Sequence, residues 1–457
     1  MFFGADSRIT FVTDLAGPPV VSRFLRPLDF EVRPFAHDPV KPSQANPRLD
    51  APFAFRAGLT AVLFAAILAL SLSWNFYYES MANAYLSLAL GSAAIVLGVL
   101  RRSWFDLLYV IPGGMLLALL DYRVMGYKPF FMAGFAFAGM SALAVLGAHA
   151  IWSRGEERKL LLYGFVPAVL FVASEWSATS LLDITEKLHP KTFDLFLYSF
   201  DSSLRVQVSF LVGQFLWKFL WVRAAALAIY IALPLPLALV YASQLRRQKQ
   251  KALTVMLAFL ATGPLGVFFY NVLPACGPVH LFGGAFPMHP LSTADAMRLN
   301  IAPVIMGGAR NAIPSLHMTW VLLVWWNSRG LARWVRAIAA LFVALTVLAT
   351  LGTGEHYLID LVVAFPFSLM VQALCSYSMP FCEGERRTAF LFGTLVTLAW
   401  LALLSFAVRI FWISPLLPWT VVIATAGSSI YLWRRLLQAG SQQKPVPIKA
   451  LAIGAGA

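Results

Sequence analysis

Apolar residues run in long unbroken stretches along most of the chain, and the polar ones gather in short clusters between them. A helix needs roughly 20 apolar residues to cross a bilayer. Stretches approaching that length fall near 57–74, 84–100, 105–120, 130–152, 160–182, 222–242, 252–273, 313–328, 335–351, 357–377, 388–411 and 416–433. The pattern predicts an all-α, polytopic membrane protein with about twelve transmembrane helices. It divides the chain into a cytoplasmic irregular arm (1–55), an N-terminal four-helix membrane module (56–155), a core (156–378), a C-terminal two-helix extension (379–438) and a cytoplasmic tail (439–457). Pro18, Pro19, Pro27, Pro34, Pro39, Pro42, Pro47 and Pro52 keep the arm from forming a long helix.

Composition agrees: of 457 residues 60% are hydrophobic and 12% charged, and the mean hydropathy is +0.73. Those values exclude a set of soluble domains. The net charge of +14 fits basic loops on the cytoplasmic side and calls for no nucleic-acid partner. Alternating crossings put most of the 35 Lys and Arg residues on one side, in clusters such as Arg101-Arg102, Arg246-Arg247 and Arg434-Arg435. Both termini are then expected in the cytoplasm, with Arg310, His317 and His356 on the outer (periplasmic, extracellular or lumenal) side. Residues 1–50 lack the apolar core of a removable signal peptide. Cys276, Cys375 and Cys382 have neither the number for a disulfide framework nor the spacing of a zinc site.

Ionisable groups at the edge of lipid-soluble segments suggest function, and they concentrate between Gly307 and Asp360. Pro314 suits the first turn of the helix entering the membrane at 313, which puts His317 where free N–H groups and the helix dipole favour an anion. Arg310, in a Gly-Gly-Ala-Arg-Asn lead, is placed to fold back onto phosphate oxygens. Ser315 either donates to the same phosphate or caps the helix. After a Gly352–Gly354 turn the next helix is expected to begin at about Glu355. His356 and Asp360 would share its face, with the carboxylate accepting a hydrogen bond from the imidazole and leaving the other ring nitrogen free to attack.

Two outer connections frame this stretch. Residues 183–221 mix acids, bases and aromatics, and their second half reads as an amphipathic interfacial helix. Residues 274–312, rich in Gly and Pro, read as a folded loop capping a site. Asp194 and Asp201 read as shaping the outer surface or, the safer reading, as caps of the following helix. Glu175, in an apolar stretch, contacts a polar headgroup or pairs with a neighbouring helix.

These motifs resemble the type 2 phosphatidic acid phosphatase (PAP2) superfamily of membrane lipid phosphatases and phosphotransferases. Pro314-Ser315-Leu316-His317 resembles that family's Pro-Ser-Gly-His element, and His356 with Asp360 its terminal His-x-x-x-Asp. The form PSLH followed by His-Tyr-x-x-Asp is closest to the inositol phosphorylceramide and sphingomyelin synthase branch, an inositolphosphotransferase-like activity. The resemblance spans roughly residues 160–377 and implies a six-helix PAP2-like core. It implies a metal-independent enzyme with no cofactor and a membrane lipid as substrate. His356 would be the nucleophile that becomes a phosphohistidine, Asp360 its orienting partner, and His317 the acid for the leaving oxygen. Two elements depart from the family: Thr350 stands where classical members carry an Arg, and the Lys-x6-Arg-Pro element is not recognisable near 264–290. Arg310 would substitute for one of them, with Arg298, His280 or His289 as weaker candidates that read equally well as surface loop residues.

Other readings of these residues stay open. The histidines, joined by His280 and His289, could hold a metal, although no HxH or HExxH spacing is present. A lipid transporter or scaffold with a retired site, or a hydrolytic prenyl-pyrophosphate or phosphatidate phosphatase, would carry the same motifs. A glycosyltransferase using a lipid-linked donor would want an acidic pair in the first outer loop, which offers only Glu79.

Overall fold

The computed structural model describes residues 84–101, 104–125 and 133–442. The arm 1–55, the crossing expected at 57–74, Glu79 and the tail beyond residue 442 lie outside the described residues. The N-terminal module comprises α1 (Ala84–Arg101), α2 (Trp104–Met125) and α3 (Ala133–Trp152), followed by α4 (Gly155–Leu188). Small residues let its helices approach closely. A Cβ on Gly139 of α3 would come within 2.0 Å of the Leu90 carbonyl oxygen on α1, so only glycine permits this crossing.

The core continues with β1 (Lys191–Thr192), α5 (Asp194–Ser203), α6 (Val208–Lys218), α7 (Leu220–Ile231), α8 (Pro234–Arg247) and α9 (Lys249–Val272). Short α10 (Pro278–Phe282), α11 (Thr293–Arg298) and β2 (Val304–Ile305) punctuate a long connection. Then come α12 (Leu316–Asn327), α13 (Arg333–Gly352), α14 (Leu358–Cys375), α15 (Gly384–Phe406) and α16 (Leu416–Gln442). The most deeply buried of the long apolar helices is α14, packed against α9, α12, α15 and α16.

Among the described residues, seven helices are long and apolar enough to cross a membrane, or eight if α6 and α7, bent by 115°, form one broken span. Twelve crossings are expected over the whole chain, eleven of them within the described residues, where the count by length and composition is smaller. The 313–328 crossing illustrates why: α12 has 12 residues, about 18 Å of helix against a hydrocarbon core of about 30 Å. The 222–242 crossing is divided between α7 and α8 at a turn before Pro234.

Two hydrophobic clusters organise the packing. One joins the N-terminal module to α4, α8 and α9; the other runs from α5 through α14 into α15 and α16. The C-terminal extension is therefore continuous with the core. A 3₁₀ turn at Val408–Trp412 brings the Trp412 indole N–H to Ser199 Oγ at 3.0 Å, and Trp419 donates to the Leu204 carbonyl at 3.1 Å. At the far end of α12, Asn327 donates to Gln372 on α14 at 2.7 Å, a polar tie inside an apolar bundle.

Candidate active site

The N-terminus of α14 is the structural anchor. A helix leaves its first N–H groups without intrahelical partners, and here buried acids supply them. Asp360 Oδ2 accepts from Tyr357 N–H at 2.8 Å. Asp201, from α5, accepts from Leu358 N–H at 2.6 Å and from Ile359 N–H at 3.1 Å. Burial pushes the Asp201 carboxyl up to about 8, opposed by those two N–H groups. Asp201 was expected to cap the next helix; it caps one 157 residues later in the chain. Asp194 works alongside, accepting from Cys276 N–H, from Gly277 N–H at 2.8 Å and from the Tyr357 hydroxyl at 3.0 Å.

This anchor holds His356 in the extended residues just before α14. The helix starts at Leu358, not near Glu355, so His356 and Asp360 do not share a helical face. Four contacts fix His356. Its N–H donates to Thr350 O at 3.2 Å, its carbonyl accepts from Ser209 Oγ at 3.0 Å, Nδ1 donates to Ala312 O at 2.9 Å, and Nε2 lies 3.2 Å from Ser315 Oγ. Asp360 Oδ2 is 3.4 Å from Nδ1 and directed to the Tyr357 N–H instead. The expected imidazole–carboxylate hydrogen bond is thus replaced by one to a backbone carbonyl, because the helix N-terminus claims the carboxylate. Burial holds the His356 imidazole down at about 4, partly offset by nearby Glu355 and by the Ala312 carbonyl.

Ser315 is the N-cap of α12, its hydroxyl accepting from Met318 N–H at 3.3 Å. Pro314 therefore precedes the helix instead of opening it. Since Nδ1 carries the ring hydrogen donated to Ala312 O, Nε2 is an acceptor and the Ser315 hydroxyl donates to it. His317, in the first turn, lies within electrostatic reach of His356 and stacks on the Tyr230 ring, with centroids 3.9 Å apart and planes inclined by 21°. The structure thus brings together Ser315, His317, His356 and Asp360.

Arg310 is placed differently from expectation. It is only 1% exposed, and its five N–H donors meet His189 O, Gly308 O, Cys276 Sγ, Pro190 O and Met306 O. An arginine so saturated has no free edge for a phosphate. Its work is to lock the connection that carries Ala312 to His356, helped by the Ala312 N–H bond to Ala275 O at 3.1 Å. The 274–312 connection does fold over the site: Val279 N–H bonds Gly354 O at 2.9 Å, and Gly277, at φ +118°, packs so tightly that a Cβ would meet Glu355 O at 2.4 Å. His280, His289 and Arg298 are exposed on this cap, whereas His356 is buried. Thr350 returns its hydroxyl to Thr346 O at 2.8 Å within α13. Glu175 belongs to α4, but its side chain lies outside the described residues.

The motifs did not point to Ser209, Asp194, Tyr230 or Tyr85. The first two act by closing backbone geometry across long sequence separations. The aromatic pair carries no motif, and Tyr85 comes from the N-terminal module. Tyr85 on α1 sits 6.1 Å from both the Tyr230 and His317 rings.

No curated protein and no solved structure matches the chain. Residues 195–374, which include Ser209, Ala312, Ser315, Thr350 and Asp360 beside His356, match the family model of the PAP2 superfamily.

Proposed function

We propose that this chain is an integral membrane enzyme that cleaves a lipid phosphoester through a phosphohistidine on His356. The observation that carries the reading is the tautomer set by Ala312: with Nδ1–H bonded to its carbonyl, the lone pair lies on Nε2 beside the Ser315 hydroxyl. The PAP2 superfamily match, with its phosphatase and phosphotransferase chemistry, supports it.

When a phosphate enters, the Ser315 hydroxyl turns to one of its oxygens and frees Nε2. The N-terminus of α12 faces the same charge. Nε2 attacks phosphorus, the N–P bond forms and the P–O bond to the leaving alcohol breaks. That oxygen takes a proton from His317, whose imidazole burial holds down at about 3 in the free protein, so the incoming phosphate charge has to raise it before it can carry that proton. His317 then accepts the proton of water or a lipid alcohol as its oxygen attacks phosphorus, and the N–P bond breaks.

The finer reading is a phosphotransferase with an inositolphosphotransferase-like activity. Its supports are the PSLH and His-Tyr-x-x-Asp forms and the neutral Thr350. Arg310 is engaged with carbonyl oxygens, so the positive charge within reach suits a phosphodiester monoanion better than a dianion. The basic-loop bias supports a site at the outer face with both termini in the cytoplasm.

The test offers phosphatidic acid, prenyl pyrophosphate, phosphatidylinositol and phosphatidylcholine to the detergent-solubilised protein and its His356→Ala variant, with chelator, with and without ceramide or diacylglycerol. Phosphate release lost in the variant means a phosphatase. A new acceptor-dependent lipid means a transferase. Equal silence of both proteins on every lipid rejects catalysis in favour of a transporter or scaffold.

A further inference from the structure

The ring of His317 is held by aromatic groups from three separate parts of the chain. Tyr230 of α7 stacks on it at 3.9 Å, Trp320 one turn along α12 stands edge-on at 5.8 Å, and Tyr85 of α1 closes the third side at 6.1 Å. Tyr85 and Tyr230 are joined by a hydrogen bond between their side chains. The family match begins at residue 195, so Tyr85 lies far outside it.

An imidazole on a helix's first turn has free rotation about two bonds, and a general acid must hold its N–H along one direction. Stacking on a tyrosine fixes the ring plane, and the tyrosine face favours the cationic over the neutral imidazole. The hydrogen bond from α1 in turn fixes Tyr230, which sits in a short helix just after the 115° bend. We propose that Tyr230 and Tyr85 are positioning residues for His317, through which the N-terminal module becomes a working part of the site. The proposal rests on reading His317 as the acid. The titratable groups around this stack are Tyr85, Tyr230, Tyr270 from α9, Glu355 and His356.

A positioning role for an acid makes a prediction that a merely structural role does not. A poor leaving group needs the proton; p-nitrophenolate does not. The experiment measures kcat and KM of the full-length protein on two pairs of probes. The first is dioctanoyl phosphatidic acid with p-nitrophenyl phosphate, and the second is dioctanoyl phosphatidylinositol with inositol p-nitrophenyl phosphate. Variants are Tyr230→Phe, Tyr230→Leu and Tyr85→Leu, beside His317→Ala and His356→Ala. Tyr230→Leu and Tyr85→Leu should each lower kcat on the lipid of a pair by about tenfold or more, with little change on its nitrophenyl partner. The alkaline limb of kcat should move to lower pH in Tyr230→Leu and return in part in Tyr230→Phe, which keeps the stacked ring but gives up the hydrogen bond to Tyr85. Tyr85→Leu carries the test if Tyr230→Leu fails to fold. Equal losses on both members of a pair, or no loss, overturn the proposal while leaving the catalytic reading intact. Activity retained in His356→Ala, or a His317→Ala loss that ignores the leaving group, overturns the reading beneath it.

Discussion

The Nδ1 atom of His356 donates to the carbonyl oxygen of Ala312 at 2.9 Å, although a carboxylate stands close by. A backbone carbonyl cannot take up a proton as a carboxylate can, so it fixes the tautomer without sharing the charge. Asp360→Asn should therefore be mild. The amide oxygen can still accept from Tyr357 N–H, and turnover should fall by about tenfold, against about 10⁴ for an acid that orients the imidazole directly. Steady-state kinetics of the purified variant decide between the two.

Arg310 serves the same carbonyl from a distance. Arg310→Lys keeps the charge but cannot satisfy five acceptors, and it should destabilise nearly as much as Arg310→Ala, by about 3–5 kcal/mol. A phosphate-binding arginine would instead raise KM and leave the unfolding temperature alone. Thermal unfolding in detergent, read beside KM, separates these outcomes.

Asp201→Ala leaves two buried N–H groups of α14 without acceptors. The expected cost is about 1–2 kcal/mol in stability. Because His356 sits on the chain leading into those groups, kcat should fall while KM holds. Asp201→Asn, which can satisfy one of them, should lie between.

The pH profile follows from the nucleophile. Attack needs neutral His356, and burial holds that group down at about 4. Its ring thus stays neutral as pH falls from 7 to 5, so kcat/KM, which reports the free enzyme, should not fall over that range. The acid limb should appear only as pH drops through about 4. A limb near the ordinary histidine value of about 6.5 would show that the ring meets solvent.

The sequence carried the helices and the candidate histidines because both leave local marks. Apolar runs declare α9, α13, α14, α15 and α16 whatever their neighbours, and PSLH and His-Tyr-x-x-Asp stand out against such runs. What joins those groups leaves no such mark. Ala312 contributes only a carbonyl, which every residue has, and Asp201 reaches its helix across 157 positions. Arg310 misleads for the same reason: an arginine in a glycine-rich lead looks free until the carbonyls of residues 189, 190, 306 and 308 are in place around it. The span counts differ where hydropathy ignores length, as in α12.

The stitching of the cap has a bearing on where this protein can be cut. Arg409, beyond the segment with family likeness, hydrogen-bonds the carbonyls of Met297 and Leu299 in the cap, while Tyr85 reaches the site from the other end of the chain. The segment with family likeness and the segment stitched to it are thus different lengths. A fragment trimmed to residues 195–374 would keep every recognisable motif and lose the contacts at both ends that tie those motifs to the rest of the chain, so the family likeness marks out less of this chain than the packing joins.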